Sequence, residues 1–251
     1  MDLSVNLNKI ALLRNSRGSN SPSLEEYAKQ AIVLGVQGIT LHPRPDHRHA
    51  TSQDALSIAA LCKDHSLEFN LEGNPFSCAK NSFMGFLEIC AEAKPEQVTL
   101  VPDNEGQLTS DSGWLPDYCS KELQSFLSSG ELDNSRTSLF IDADIRSLEY
   151  AADMEFERVE IYTGPFAHSC MQNNPQAIES ACIAIGAVIK RARELGLGVN
   201  AGHDLNLGNI GILKTCGLID EVSIGHAIIT DTLKYGFEDT MIQYLNVTRE
   251  I

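Results

Sequence analysis

The chain of 251 residues is short of positive charge: 19 Lys and Arg stand against 34 Asp and Glu, a formal charge of −15 with a pI near 4.8. Nucleic acid and anionic membrane both require a cationic face, so neither is expected as its main partner. Long apolar runs are missing too. The longest, at residues 55–62 and 181–189, fall well below the roughly 18–20 residues that a membrane-crossing helix needs. The opening residues Met1-Asp2-Leu3-Ser4 have neither the cationic start nor the apolar block of a secretory signal. The seven Cys, at positions 62, 78, 90, 119, 170, 182 and 216, form no Cys-x-x-Cys pair, which excludes zinc-ribbon spacing and favours a reducing compartment over a disulfide framework. A cytoplasmic setting is expected. No Walker loop, nucleophile elbow or H-E-x-x-H motif occurs, and no linker or low-complexity tract divides the chain.

What remains is an ordinary globular composition, 43% hydrophobic and 21% charged, in a chain long enough to bury a sizeable core. Short β-branched or apolar runs predict eight strands, at 3–7, 38–43, 67–73, 97–102, 137–144, 158–164, 197–202 and 221–227. Between them, apolar positions at helical spacing predict helices at 24–34, 55–62, 83–93, 148–154, 178–195 and 233–245. Ser23-Leu24-Glu25-Glu26 reads as a capping box, and Gly35 and Gly196 sit where helix C-caps belong. Repeated βα units imply parallel strands and right-handed crossovers. A doubly wound sheet also satisfies the alternation, but no glycine-rich phosphate fingerprint follows the first strand. Eight units in this length predict an α/β chain folded as one (β/α)8 TIM barrel domain over residues 1–251.

A barrel of this kind builds its active site at the C-terminal ends of the strands. Polar residues gather at seven of those ends: Asn6, Asn8 and Lys9; His42 and Arg44; Glu72; Asp142 and Asp144; Glu160 and Thr163; Asn200, His203 and Asp204; Gly225 and His226. Asn6, Glu72 and Glu160 interrupt otherwise apolar strands, where an unpartnered polar group costs about 1–3 kcal/mol. Satisfied core polar groups account for any one of them equally well.

The stretch from His42 to His49 holds three His and two Arg, a pattern suited to phosphate binding and proton transfer. His47-x-His49 also admits a weak metal reading that the neighbouring Arg residues oppose. The connection from Asn8 to Ser19 is long for a βα loop and carries Lys9, Arg14 and Arg17, the last two spaced to share a helical face. Glu72 is a candidate general base, with a salt bridge to an Arg as the alternative. His203 lies among small residues, and Gly225 leaves backbone N–H groups open to a phosphate before His226. The residues thus point to acid/base chemistry on small phosphorylated compounds, with His42, Glu72 and His203 as proton carriers. A sugar-phosphate isomerase or aldolase, a non-catalytic binding barrel and a metal-dependent hydrolase are the competing readings.

Several segments in order along the chain resemble the pyridoxine 5′-phosphate synthase family, the ring-closing enzymes of deoxyxylulose-dependent vitamin B6 synthesis. They are VNLNKIALLRNSRG, GITLHPRPDHRH, FNLEG, VTLVPD with TSDSGW, LFIDAD, VEIYTGPFA, VNAGHDLNL and EVSIGHAII. The resemblance implies a barrel with extra helices, assembled as a cytoplasmic homo-octamer. It implies a transferase that joins 3-amino-2-oxopropyl phosphate to 1-deoxy-D-xylulose 5-phosphate, giving pyridoxine 5′-phosphate, phosphate and water without metal or organic cofactor. By motif, His42 and Glu72 would accept protons and His203 would donate one. Asn6 and Arg17 would hold the amino ketone phosphate; Arg44, His49 and Thr109 would hold the pentulose phosphate. Asp204, Gly225 and His226 would contact the amino ketone phosphate or the product, and Glu160 resembles a further acid/base residue. Asn8 and Lys9 stand where many members have Asp-His, and Asp204 where they have Gly, forms that resemble a variant subgroup in which Asn8 and Lys9 line the substrate site.

The net charge conceals an asymmetry. Residues 1–50 hold six Lys and Arg against four Asp and Glu, with three of the seven His, whereas residues 51–251 hold 13 against 30. The local basic excess falls on the two connections expected to meet anionic substrates.

Overall fold

The computed structural model describes residues 1–104 and 106–249. The expected domain runs from residue 1 to 251, so its positions 105, 250 and 251 lie outside the described residues. Eight parallel strands close into a barrel in chain order: β1 (Asp2–Asn6), β2 (Gly38–Leu41), β3 (Glu68–Gly73), β4 (Gln97–Leu100), β5 (Arg136–Ile141), β6 (Arg158–Tyr162), β7 (Gly198–Gly202) and β8 (Glu221–Ile224). β8 pairs back to β1 in the register Leu3↔Val222 and Val5↔Ile224. The helices among the described residues are α1 (Asn8–Asn15), α2 (Leu24–Leu34), α3 (Ser52–Asp64), α4 (Phe86–Ala93), α5 (Ser120–Leu127), α6 (Ile145–Asp153), α7 (Gly164–Met171), α8 (Pro175–Leu195), α9 (Ile210–Thr215), α10 (His226–Tyr235) and α11 (Phe237–Arg249).

The strands alternate strictly. Leu3 and Val5, Ile39 and Leu41, Phe69 and Leu71, Val159 and Ile161 face the helices in one continuous apolar core. Their neighbours face the barrel axis and are mostly polar, where barrels of this class usually carry branched aliphatics. Ser4 Oγ and Thr40 Oγ1 are 2.7 Å apart, Asn70 donates to Thr40 at 3.4 Å, and Thr99 donates to Asn70 at 3.0 Å. On the opposite wall Asn200 donates to Gln97 Oε1 at 3.3 Å and to Glu221 Oε1 at 3.2 Å, while accepting from Arg158 at 2.7 Å. Contacts between β7 and β4 can only be made across the interior.

Several expected boundaries move. The predicted strands 38–43, 97–102, 137–144 and 221–227 end two to three residues early, because the chain leaves the ladder to form the mouth; Pro43 and Pro102 lack the N–H a ladder needs. The connection after β1 is mostly helix α1, and α5, α7 and α9 fall where no helix is expected. The predicted helix 233–245 is two helices, broken at Gly236, whose φ is +82°. Gly35 and Gly196 do cap α2 and α8 in the left-handed conformation. Ser23 accepts from Glu26 N, yet the reciprocal capping box forms instead between Thr51 and Asp54 at the start of α3.

Asp54 also binds Arg14 of α1 in a two-pronged pair at 2.6 and 2.8 Å, and Asn15 Nδ2 donates to the carbonyls of His47 and His49. These bonds clamp α1 to the connection after β2. Asp54→Ala removes both the cap and the counter-ion of Arg14, and should lower stability by about 3 kcal/mol, measured as the shift in a urea unfolding curve.

Candidate active site

Three inward-facing strand ends place the centre of the site. His42 follows β2, and its backbone N–H donates to Asn8 Oδ1 at 3.0 Å, which ties the end of β1 to that of β2. Its ring lies between two carboxylates: Nδ1 is 3.8 Å from Glu72 Oε2, and Nε2 is 3.9 Å from Asp103 Oδ2. Burial, then the charges of Arg44, His49 and His203, hold His42 well below the usual imidazole range, so the ring is neutral at pH 7. His49, 6.1 Å from it between ring centres, is buried beside Arg44 and Lys9 and pushed down to about 3.

Glu72 behaves in the opposite sense. Burial and the nearby Asp103 charge raise it to about 7, against the pull of Ser223 Oγ, which donates to it at 3.3 Å from across the barrel, and of Arg44. Glu160 is raised further by burial and by Glu72 and Glu221, and its Oε2 has no hydrogen-bond partner. A methyl group at Gly202 would collide with the Glu160 carboxyl, so only glycine leaves that carboxyl its space. Glu72 is thereby poised to exchange protons near neutral pH.

His203 stands at φ +80° directly after β7, and Thr163 Oγ1 donates to the carbonyls of Gly202 and His203 at 2.6 and 2.5 Å to hold that bend. Its ring packs 5.0 Å from Phe140 and 5.6 Å from Tyr162. Burial lowers its pKa, while Asp204 and Asp103 oppose that shift.

Cations line the other side. Arg44 is buried, pairing with Asp103 and donating to Gln107 O at 3.2 Å. Arg48 donates to the carbonyls of Gln107 and Leu108, and Lys9 is depressed by burial and by both arginines. A cavity of about 310 Å³ opens beside them, lined by His42, Arg44, Arg48, Asn74 and Asp103 among others. Asn6 Oδ1 accepts from Asn8 N at 3.0 Å and its side chain packs against Gly225, the N-cap of α10, which has no side-chain cap of its own.

A family model described as "Pyridoxal phosphate biosynthesis protein PdxJ" matches residues 3–250. The chain belongs to the PdxJ family. It is 43% identical over 250 residues to a pyridoxine 5′-phosphate synthase of Xanthomonas oryzae pv. oryzae, covering 99% of this chain and 97% of that one. A pyridoxine 5′-phosphate synthase of Xylella fastidiosa is 40% identical over 246 residues, 98% of this chain and 94% of the relative. Solved structures share the barrel: the tryptophan synthase α-subunit of Pyrococcus furiosus at TM-score 0.63 and 15% identity over 98% of this chain and 97% of that one. Thiamine phosphate pyrophosphorylase from the same organism reaches 0.62 at 11%, covering 98% and 94%. At such identities these two establish fold alone.

In this PdxJ-family chain His42, Glu72, His203, Arg44, His49, Asn8 and Lys9 converge, with Asn6, Glu160 and Gly225 around them. Arg17, Thr109, Asp204 and His226 are exposed at the rim, and His226 begins α10 instead of ending a strand. Arg14 is no partner of Arg17, because Asp54 holds it. His47 and His49 diverge, the first toward Ser82 and Phe83 and the second toward His42, so they do not form a ligand pair. Sequence reasoning missed Asp103, Ser110, Asn74 and Ser223. The period-two alternation of β8 could have flagged Ser223; the other three follow strand ends, and only their contacts reveal them.

A Glu in an unfolded chain titrates near about 4.3. Between that value and about 7 the folded protein keeps a proton on Glu72 that the unfolded chain has lost, so stability falls as pH rises through this window. Glu72→Gln should therefore be more stable than the parent by about 2–3 kcal/mol at pH 8 and equal to it at pH 4, measured by urea unfolding at both pH values.

Proposed function

We propose that the chain catalyses pyridoxine 5′-phosphate synthesis, condensing 3-amino-2-oxopropyl phosphate with 1-deoxy-D-xylulose 5-phosphate and releasing phosphate and water. The observation that carries the reading is the His42–Glu72 pair, a neutral imidazole 3.8 Å from a carboxyl poised near neutrality, at the mouth of a barrel whose relatives bear that activity. In this reading the enzyme is a transferase working in the cytoplasm as a homo-octamer, with its residues 1–251 forming one barrel domain.

The amine first attacks the pentulose ketone, and loss of water gives an imine between the two substrates. Neutral His42 has a free lone pair to accept protons from carbon or oxygen, and Glu72 takes up protons in its deprotonated fraction. Each relieves the other, since a proton gained by His42 is stabilised by Glu72 and Asp103. Elimination of phosphate and aldol closure with loss of a second water need a donor on the opposite wall. His203 supplies it: an anionic substrate at the mouth acts on its ring as Asp204 does and favours the charged form. Arg44, His49, Lys9, Asn8 and Thr109 hold the pentulose phosphate end, while Asn6, Arg17, Asp204, Gly225 and His226 hold the amino ketone phosphate or the product. Glu160 serves as a reserve proton site beneath Glu72. Each step is a proton transfer, an elimination or an addition to a carbonyl.

The test is incubation of purified protein with both substrates. Pyridoxine 5′-phosphate should form, and His42→Asn, Glu72→Gln and His203→Asn should each lower kcat by about 100-fold or more. Failure of the parent protein to form the product, or full activity in all three variants, refutes the assignment.

A further inference from the structure

Asp103 faces His42 across 3.9 Å but holds no substrate in the mechanism above, and its stronger bonds run elsewhere. It lies three residues beyond β4 and is only 5% exposed. Its Oδ2 accepts from the Arg44 guanidinium and from Ser110 Oγ at 2.6 Å. Its own carbonyl accepts from Asn74 Nδ2 at 2.7 Å, and Asn74 Oδ1 in turn accepts from Phe76 N at 2.7 Å, so the backbone beneath the carboxylate is fixed to the end of β3. One acidic residue, through its side chain and its carbonyl, thus joins the connections that follow β2, β3 and β4.

Arg44 depends on it. Among the described residues Asp103 is the one side chain that accepts from Arg44; the other acceptor is Gln107 O, and Arg44 Nε is buried with no partner. A guanidinium has five N–H donors in a rigid fork, so these two bonds fix its plane and leave three donors for an oxyanion. Without the Asp103 charge Arg44 would be a buried cation beside Lys9, close enough for the two charges to repel.

We propose that Asp103 is a positioning residue: it holds the Arg44 fork in the plane that receives the pentulose phosphate. The inference rests on the functional reading above, in which Arg44 binds that substrate. Asp103 touches no reacting atom in this role; it acts through Arg44, and Ser110 acts through Asp103.

Steady-state kinetics with each substrate varied in turn separates this role from a general structural one. Asp103→Asn keeps the volume and removes the charge, and should raise KM for 1-deoxy-D-xylulose 5-phosphate by about 10- to 100-fold with KM for the amino ketone phosphate changed by less than about threefold. Asp103→Glu, which restores the charge, should recover most of the loss. Ser110→Ala, which deletes a single neutral hydrogen bond, should raise the same KM by about two- to fivefold and serves as the reading if Asp103→Asn does not fold. Equal increases in both KM values, an unchanged KM, a lower KM for the pentulose phosphate, or no recovery by Glu would overturn the inference. Loss of product by the parent protein would instead refute the functional reading, so the two failures are distinguishable.

Discussion

Every polar side chain on the barrel axis must find a partner inside a closed wall of eight strands, and that requirement shapes the rest of the molecule. Unsatisfied, each such group would cost about 1–3 kcal/mol. The solution is lateral and transverse: Ser4, Thr40, Asn70 and Thr99 bond strand to strand, as do Asn200 and Glu221, while Asn200 also bonds Gln97 across the interior. The layer above completes the pattern with Glu72 and Ser223. The buried carboxyls of the candidate site are the upper floor of a polar column, held in place by the floors beneath. A few groups, among them Glu160 Oε2 and Gln97 Nε2, remain without a protein partner in that column.

Electrostatics divides the mouth into two sides. Arg44, Arg48 and Lys9 crowd the ends of β1 and β2, where burial first and then neighbouring cations depress the imidazoles of His42 and His49. Glu72 is raised by burial and by the charge of Asp103, and Glu160 by burial and by Glu72 and Glu221. The ordinary order of the two types is thereby inverted: near neutral pH the imidazoles are unprotonated acceptors, while Glu72 holds a proton in part of the molecules. The same crowding of cations gives phosphate groups a strong local attraction in a chain whose overall charge is −15.

The βα repeat, the eight strands and their order were legible in the residues, because period-two and period-3.6 patterns follow from backbone geometry. Strand ends were less so: nothing local distinguishes the last paired residue of β4 or β5 from the first residue of the mouth. Helix α1 escaped because it has a polar start, no side-chain cap and a clamp supplied from elsewhere by Asp54 and the carbonyls of His47 and His49. His42, Glu72 and His203 were visible as polar residues at strand ends, where an apolar one would have been the ordinary choice. Asp103 was not, since it sits in an irregular stretch where an acidic residue is unremarkable.

Determined by the sequence alone, then, are the alternation that puts Leu3, Val5, Ile39 and Leu41 outward and Ser4, Asn6, Thr40 and His42 inward, and with it the class of fold and the family. Decided only in three dimensions are the partners. Arg14 and Arg17 look equivalent along the chain, yet Asp54 at a distance of 40 residues takes one and leaves the other exposed. Arg44 meets Asp103 across 59 residues, and Glu72 meets Ser223 across 151. Periodicity is a property of neighbouring residues and survives in the linear order. Charge pairing, burial and the pKa values that follow from them depend on which distant strand ends the closure of the barrel brings within a few ångströms, and the linear order carries no such distances.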